Sequence, residues 1–187
     1  MGIKRLIYLL AFILPISISY CGSLFKEPPV FKPKAVFFLP NDTFFDMLRD
    51  KINTAQSEIV ISMFLFKTVG DPTYRPDIIL DELGKAVRRG VNVKVILEMG
   101  PKEKRSRVDE DNLRTAVKLM EKGVKVYFDP PNVSTHGKIA VIDRKYVFIG
   151  SHNFTQSGLL YNNEASVMII SPEMAEEVVK YIERIIR

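Results

Sequence analysis

From Ala35 to the C-terminus the chain alternates short β-branched runs with amphipathic segments of helical length, and that alternation most constrains its fold. Residues 36–39 read as a strand, and Asn41 or Asp42 can cap a helix over 43–54 lined by Phe44, Phe45, Met47, Leu48 and Ile52. Residues 58–66 form a β-branched and aromatic run, read as a buried central strand. A helix over 77–89 follows and is stopped by Gly90. The strand over 91–99 is broken by Gly100 and Pro101, and a helix over 109–122 offers Leu113, Val117, Leu119 and Met120 as its apolar stripe. Residues 124–128 are a short strand. Segments 138–142 and 146–149, joined by Asp143, Arg144 and Lys145, form a hairpin. A strand over 164–170 and a helix opened by Pro172 complete the pattern. Phe37, Phe38, Phe64 and Phe66 sit inside apolar strands and are expected in the core rather than as base-stacking platforms. The pattern predicts one α/β domain over 35–187, a sandwich with a mixed central sheet and no internal repeat.

The first 34 residues stand apart from this pattern. Lys4 and Arg5 precede an apolar run over 6–18, the layout of an export signal. As a helix that run spans roughly 20 Å, short of the roughly 30 Å hydrocarbon core, although stretched to Phe25 it is long enough to anchor. Ser17 and Ser19 offer a small-x-small cleavage site; Cys21 offers lipidation, but Tyr20 before it is bulky. Segment 1–23 is therefore expected to export the protein, either cleaved or kept as an anchor that leaves it periplasmic or on the outer face of the membrane. Pro28, Pro29 and Pro33 with three Lys make 24–34 an extended linker.

Composition narrows the chemistry. A single Cys excludes an internal disulfide framework and Cys-based zinc clusters, and two His argue against a His-rich metal site. The formal charge of +5 is compatible with a polyanionic partner without naming one. Lys102, Lys104, Arg105 and Arg107 crowd one loop against a single Glu103 and are candidates for substrate phosphates, although such runs are commonly just solvated. Asp109, Glu110 and Asp111 fit the acid preference of a helix's first turn better than a metal site.

Chemistry concentrates in 136–153, which reads HGKIAVIDRKYVFIGSHN. His136 and Lys138 are two apart, so on extended chain they share a face. The hairpin returns Gly150, Ser151 and Asn153 beside them. One face then carries an imidazole, an ammonium, a hydroxyl and a carboxamide, the groups a phosphodiester needs for attack and for neutralising its non-bridging oxygens.

This segment resembles the signature of the phospholipase D superfamily, H-x-K-x4-D-x6-G-S-x-N, with every position at the right spacing. The likeness continues through Phe154, Thr155, Asn162, Asn163 and Glu164, and is strongest to the small single-motif bacterial endonucleases of that superfamily. It implies a phospholipase D-like fold in which His136 attacks phosphorus to give a phosphohistidine. By the same resemblance Lys138 and Asn153 hold the non-bridging oxygens and Ser151 shapes their pocket. Glu164 orients the imidazole, Asp143 is architectural, and Gly137 and Gly150 permit close backbone approach. No metal or other cofactor is implied.

The mechanism needs two histidines, and large members carry the motif twice. Here it occurs once. His152, at the variable position, points away from Ser151 and Asn153 on extended chain and reads as structural. The expectation is a C2 homodimer with His136 and Lys138 of both subunits in one site. Three functions follow, in order of expectation: a nuclease acting on DNA or RNA, a phospholipase acting on a lipid head group, and a silent domain that binds nucleic acid or membrane.

Overall fold

The computed structural model describes residues 27–186, so the expected export segment lies outside the described residues. Residues 27–30 belong to a separate unit and carry no helix or strand; the folded unit begins at Phe31.

Seven strands form one mixed sheet: β1 (Ala35–Pro40), β2 (Glu58–Met63), β3 (Asn92–Leu97), β4 (Lys125–Phe128), β5 (Lys138–Ile142), β6 (Tyr146–Gly150) and β7 (Ala165–Ile170). Their order is β1-β7-β6-β5-β2-β3-β4, with β2, β3 and β4 parallel and the remaining pairs antiparallel. Helices α1 (Thr43–Thr54), α2 (Arg75–Arg88) and α3 (Arg107–Glu121) cover one face, around Phe44, Leu48, Ile61, Leu83, Val95 and Phe148. Helix α4 (Pro172–Ile185) covers part of the other, where Ala175, Val179 and Ile182 meet Val60, Ile96, Val141 and Val147. The expected sandwich and mixed sheet are both present.

Strand pairing sets where the loops go. Met63 is in register with Leu97, Leu97 with Phe128, and Met63 with Lys138 across the antiparallel pair. Gly150 faces Ser166, and Pro40 faces Ala165. The chain after β1, β2, β3, β4 and β6, and the chain entering β5 and β7, therefore all emerge at one edge of the sheet. In open α/β sheets ligands bind outside the carboxyl ends of the parallel strands, which is this edge.

Three expectations need correction. Phe37 and Phe38 are not core: β1 is an outer strand, and they are 41% and 67% exposed. Strand β2 ends at Met63 rather than at 66: after a last bond in the β5 register, Phe64 N–H to Gly137 O at 3.2 Å, the Phe66 N–H donates instead to the Asn112 side chain, Oδ1 at 2.9 Å. Helix α3 does not bury Val117 and Met120, which are about half exposed. Its inner face carries Asn112, Thr115, Ala116 and Leu119. The Thr115 hydroxyl accepts the Thr68 N–H at 3.2 Å, so the inward polar residues satisfy irregular backbone after β2.

Candidate active site

His136 is the last exposed side chain before β5, and Lys138 opens the strand. The Lys138 Nζ lies 3.2 Å from His136 Nδ1 and 3.4 Å from Nε2, and donates to the His136 carbonyl at 2.7 Å. Phe64 supports both: its ring centroid is 4.5 Å from the imidazole, and the ammonium sits 4.9 Å over the ring. Partial burial lowers the Lys138 ammonium from its ordinary value, while the Glu164 charge pulls it back up.

Across the hairpin, β6 delivers Gly150, Ser151 and Asn153 to the same edge. Gly150 is required by packing: a Cβ there would lie 1.9 Å from Ser166 Oγ and 2.4 Å from Ser166 Cα. Beyond it the Phe154 N–H donates to Leu65 O and the Lys67 N–H to Phe154 O, both at 2.9 Å, stitching the G-S-x-N segment to the chain leaving β2. His136, Lys138, Gly150, Ser151 and Asn153 line one open cavity of about 400 Å³. Asn153 Oδ1 is buried there and has no hydrogen-bond partner among the described residues.

The remaining sequence candidates fall in different places. Glu164 stands behind Ser151. Its carboxylate accepts from Ser151 Oγ and, at 3.1 Å, from Asn162 Nδ2. Within one chain it is thus engaged by Ser151, beside the cavity. Asp143 lies at the opposite edge, in the β5–β6 turn with φ of 52°. It accepts from the Gln56 N–H at 3.0 Å and the Ser57 N–H and Oγ at 2.8 Å each, tying the hairpin to the start of β2. Burial raises its carboxyl, but the Ser57 and Gln56 donors outweigh that and leave it below the ordinary range.

His152 is fully buried, its ring stacked on Phe44 at 4.2 Å. Nε2 lies 2.8 Å from the Asn41 carbonyl, so it carries the hydrogen, and Nδ1 accepts from Ser166 Oγ at 2.6 Å. Burial pushes its pKa down, against the Asn41 carbonyl and the Glu164 charge. Both ring nitrogens are committed, so His152 is a packing residue of the Gly150–Ser166 contact.

The family model described as "Cardiolipin synthase, PLD-like domain" matches residues 48–186, most of the chain. The chain belongs to the phospholipase D superfamily. It is 29% identical to a polyphosphate kinase of Xylella fastidiosa over 158 residues, 79% of this chain and 21% of that one. It is 33% identical to cardiolipin synthase B of Shigella flexneri over 118 residues, 63% of this chain and 26% of that one. The chain thus spans about a quarter or less of these curated relatives. Among solved structures, the phospholipase D family member Nuc of Salmonella typhimurium superposes with a TM-score of 0.64 at 23% identity, covering 81% of this chain and 91% of that one. NucT of Helicobacter pylori gives 0.61 at 20% identity, covering 81% and 93%.

On this phospholipase D fold the basic group splits. Lys102 and Lys104 form a short 3₁₀ turn after β3, Arg105 follows, and Arg107 is the first residue of α3 instead of part of the loop. All four are exposed at the edge that bears His136. Asp109 completes a capping box with Ser106 and accepts the Gly100 N–H at 2.8 Å, which is the dipole role expected of it. A second cavity, of about 240 Å³, adjoins His136 on its other side, lined by Pro130, Val133, Tyr181 and Arg184 among others. Sequence reasoning missed Phe64, which looked like core, and Asn112, hidden in a helix. Asn112 is fully buried and donates to Phe64 O at 2.9 Å and Glu98 O at 3.0 Å. A polar residue on the inward side of a predicted helix was the available signal.

Proposed function

We propose that the protein is a metal-independent phosphodiesterase that cleaves nucleic acid through a phosphohistidine, as a homodimer with one shared active site. The observation that carries the reading is the single cavity joining His136, Lys138, Ser151 and Asn153. An imidazole nitrogen of His136 attacks phosphorus, and the bond to the leaving oxygen breaks as that oxygen takes a proton from His136 of the partner subunit. Water, losing its proton to that second imidazole, then attacks the phosphohistidine and frees His136. Lys138 and the Asn153 carboxamide face the non-bridging oxygens, supplying fixed charge and a donor where negative charge develops. Glu164 stands behind Ser151 to hold it and, across the dimer, to orient an imidazole.

Two features favour nucleic acid. Lys102, Lys104, Arg105 and Arg107 put cations on the site's edge, suited to phosphates flanking the scissile one. The cavity beside His136 offers the half-exposed Tyr181 ring and Arg184, a stacking surface and a cation for a neighbouring nucleotide. The likeness in fold to Nuc and NucT, which it covers nearly end to end, is in keeping with this reading. A lipid head group is the second reading, favoured by the family description and the cardiolipin synthase B relatives. Export through 1–23 is part of either proposal.

The test is the purified protein in EDTA, offered single- and double-stranded DNA and RNA and, separately, phosphatidylglycerol vesicles, with His136→Ala as control. Nucleic-acid cleavage that persists in EDTA and vanishes in H136A is expected. Lipid turnover without nucleic-acid cleavage overturns the first reading in favour of the second, and dependence on added divalent metal overturns the mechanism.

A further inference from the structure

Behind His136 lies a pair of acids that the site chemistry does not use. Glu98 leaves the end of β3 and Asp129 the end of β4; they are 8% and 4% exposed. Both point at the same N–H, that of Thr135, the residue before His136. Thr135 donates to Asp129 Oδ2 at 2.8 Å and to Glu98 Oε2. We infer that Glu98 and Asp129 are positioning residues for His136, gripping the Thr135 amide between them so that the chain entering β5 has one conformation. The inference rests on the reading of His136 as the nucleophile.

The two acids are held differently. Asp129 uses both oxygens as acceptors, Oδ1 for the Met99 N–H at 2.7 Å and Oδ2 for Thr135. Glu98 accepts the Thr135 N–H on Oε2 and also meets the Ser134 hydroxyl and the Asp129 carboxyl, an acid–acid contact that a proton on Glu98 satisfies. Two buried carboxylates on one amide would repel if both were ionised. Burial, and then the hydrogen bond with Asp129, push the Glu98 carboxyl up from its ordinary value. Facing Glu98 from neighbouring segments are Asp129, the Ser134 hydroxyl and the neutral Asn112, which takes the Glu98 carbonyl. Helix α4 presents Tyr181 and Arg184 to the cavity lined by Ser134, Thr135 and His136. Asn112 also holds the Phe64 carbonyl, so the supports of the His136 backbone and of its aromatic neighbour meet at one buried point.

The asymmetry gives the experiment. Glu98→Gln keeps an acceptor for Thr135 and a donor for Asp129, whereas Asp129→Asn turns one of two occupied acceptors into a donor. Melting temperature, Thr135 amide exchange by NMR, and kcat and KM for the nucleic acid cleaved by the wild type are measured for E98Q, E98A and D129N. E98Q is expected to keep kcat within about threefold, while D129N and E98A lose roughly 10- to 100-fold in kcat at nearly constant KM. Thr135 exchange should accelerate in D129N and E98A but not in E98Q. Wild-type exchange and turnover in D129N, or an E98Q loss equal to that of D129N, overturns the inference. A wild type that cleaves no phosphodiester counts against the proposed function instead, and Thr135 exchange still decides the clamp.

Discussion

At the scale of single residues, His152 shows how a group next to the chemistry can be excluded from it. Its imidazole is held neutral by burial, and its two nitrogens are taken by Asn41 O and Ser166 Oγ. A histidine whose folded pKa is depressed contributes stability above its unfolded value, about 6.5. As pH falls below that, the unfolded chain takes up a proton the folded chain refuses, and stability is lost until the lowered folded pKa is reached. Urea denaturation from pH 7 to 5 should therefore show a loss of up to about 1.4 kcal/mol per pH unit, absent in His152→Gln relative to its own neutral-pH stability. Equal slopes in the two proteins would mean that His152 is not the titrating group. The direction of His152 was readable from parity along an extended chain: Ser151 and Asn153 line the cavity and the residue between them is buried. Its partners were not readable, because Asn41 lies 111 positions away and reaches it only through the pairing of β1 with β7.

Among elements, the hairpin of β5 and β6 separates the chemistry from its support. Its open end carries His136, Lys138 and Gly150, and its turn carries Asp143, five residues beyond Lys138 or roughly 17 Å at the usual rise. Asp143 receives backbone N–H groups of Gln56 and Ser57 and, at 3.2 Å, of Glu58, so one carboxylate fixes the hairpin against β2. Asp143→Ala should destabilise the fold by about 2–3 kcal/mol, the scale of lost charge-assisted hydrogen bonds, while kcat of the folded fraction stays near wild type. A large kcat loss at unchanged melting temperature would instead place Asp143 in the chemistry. The stabilisation is present above the ordinary aspartate range and fades as pH falls through the lowered folded value. The signature and the strand–helix alternation made this hairpin and most element positions legible. Helix α3 was misread because periodicity equates the inner face with apolar side chains. Here Asn112 and Thr115 face inward to satisfy backbone at Phe64, Phe66 and Thr68 that strand geometry no longer pairs. For the same reason Phe64, placed in a strand by its neighbours, belongs to the site.

For the whole molecule, the decisive quantity is the number of usable histidines. The chain has two, and the burial of His152 leaves His136 as the one available to substrate, whereas a two-step displacement at phosphorus needs a nucleophile and a proton donor. A second copy can supply the other. The sheet face that α4 leaves open has the character of a contact surface. Val36 and Phe38 are 56% and 67% exposed, and they are in register with the half-buried Ile169 and Val167. Beside these, Ile149 pairs with Val167 and adjoins Gly150, so the apolar strip runs up to the cavity. Association across this strip would cover an outer strand that otherwise presents apolar side chains to water, and we propose it as the contact between the two copies. Phe38→Glu places a charge in the strip at a residue that does not line the cavity. It is expected to shift sedimentation from dimer to monomer, to leave the melting temperature of the subunit within a few degrees, and to abolish turnover. Wild-type specific activity should likewise fall on dilution through the dissociation constant. A monomeric F38E enzyme of undiminished specific activity would show that one His136 suffices, and the shared-site mechanism would be wrong.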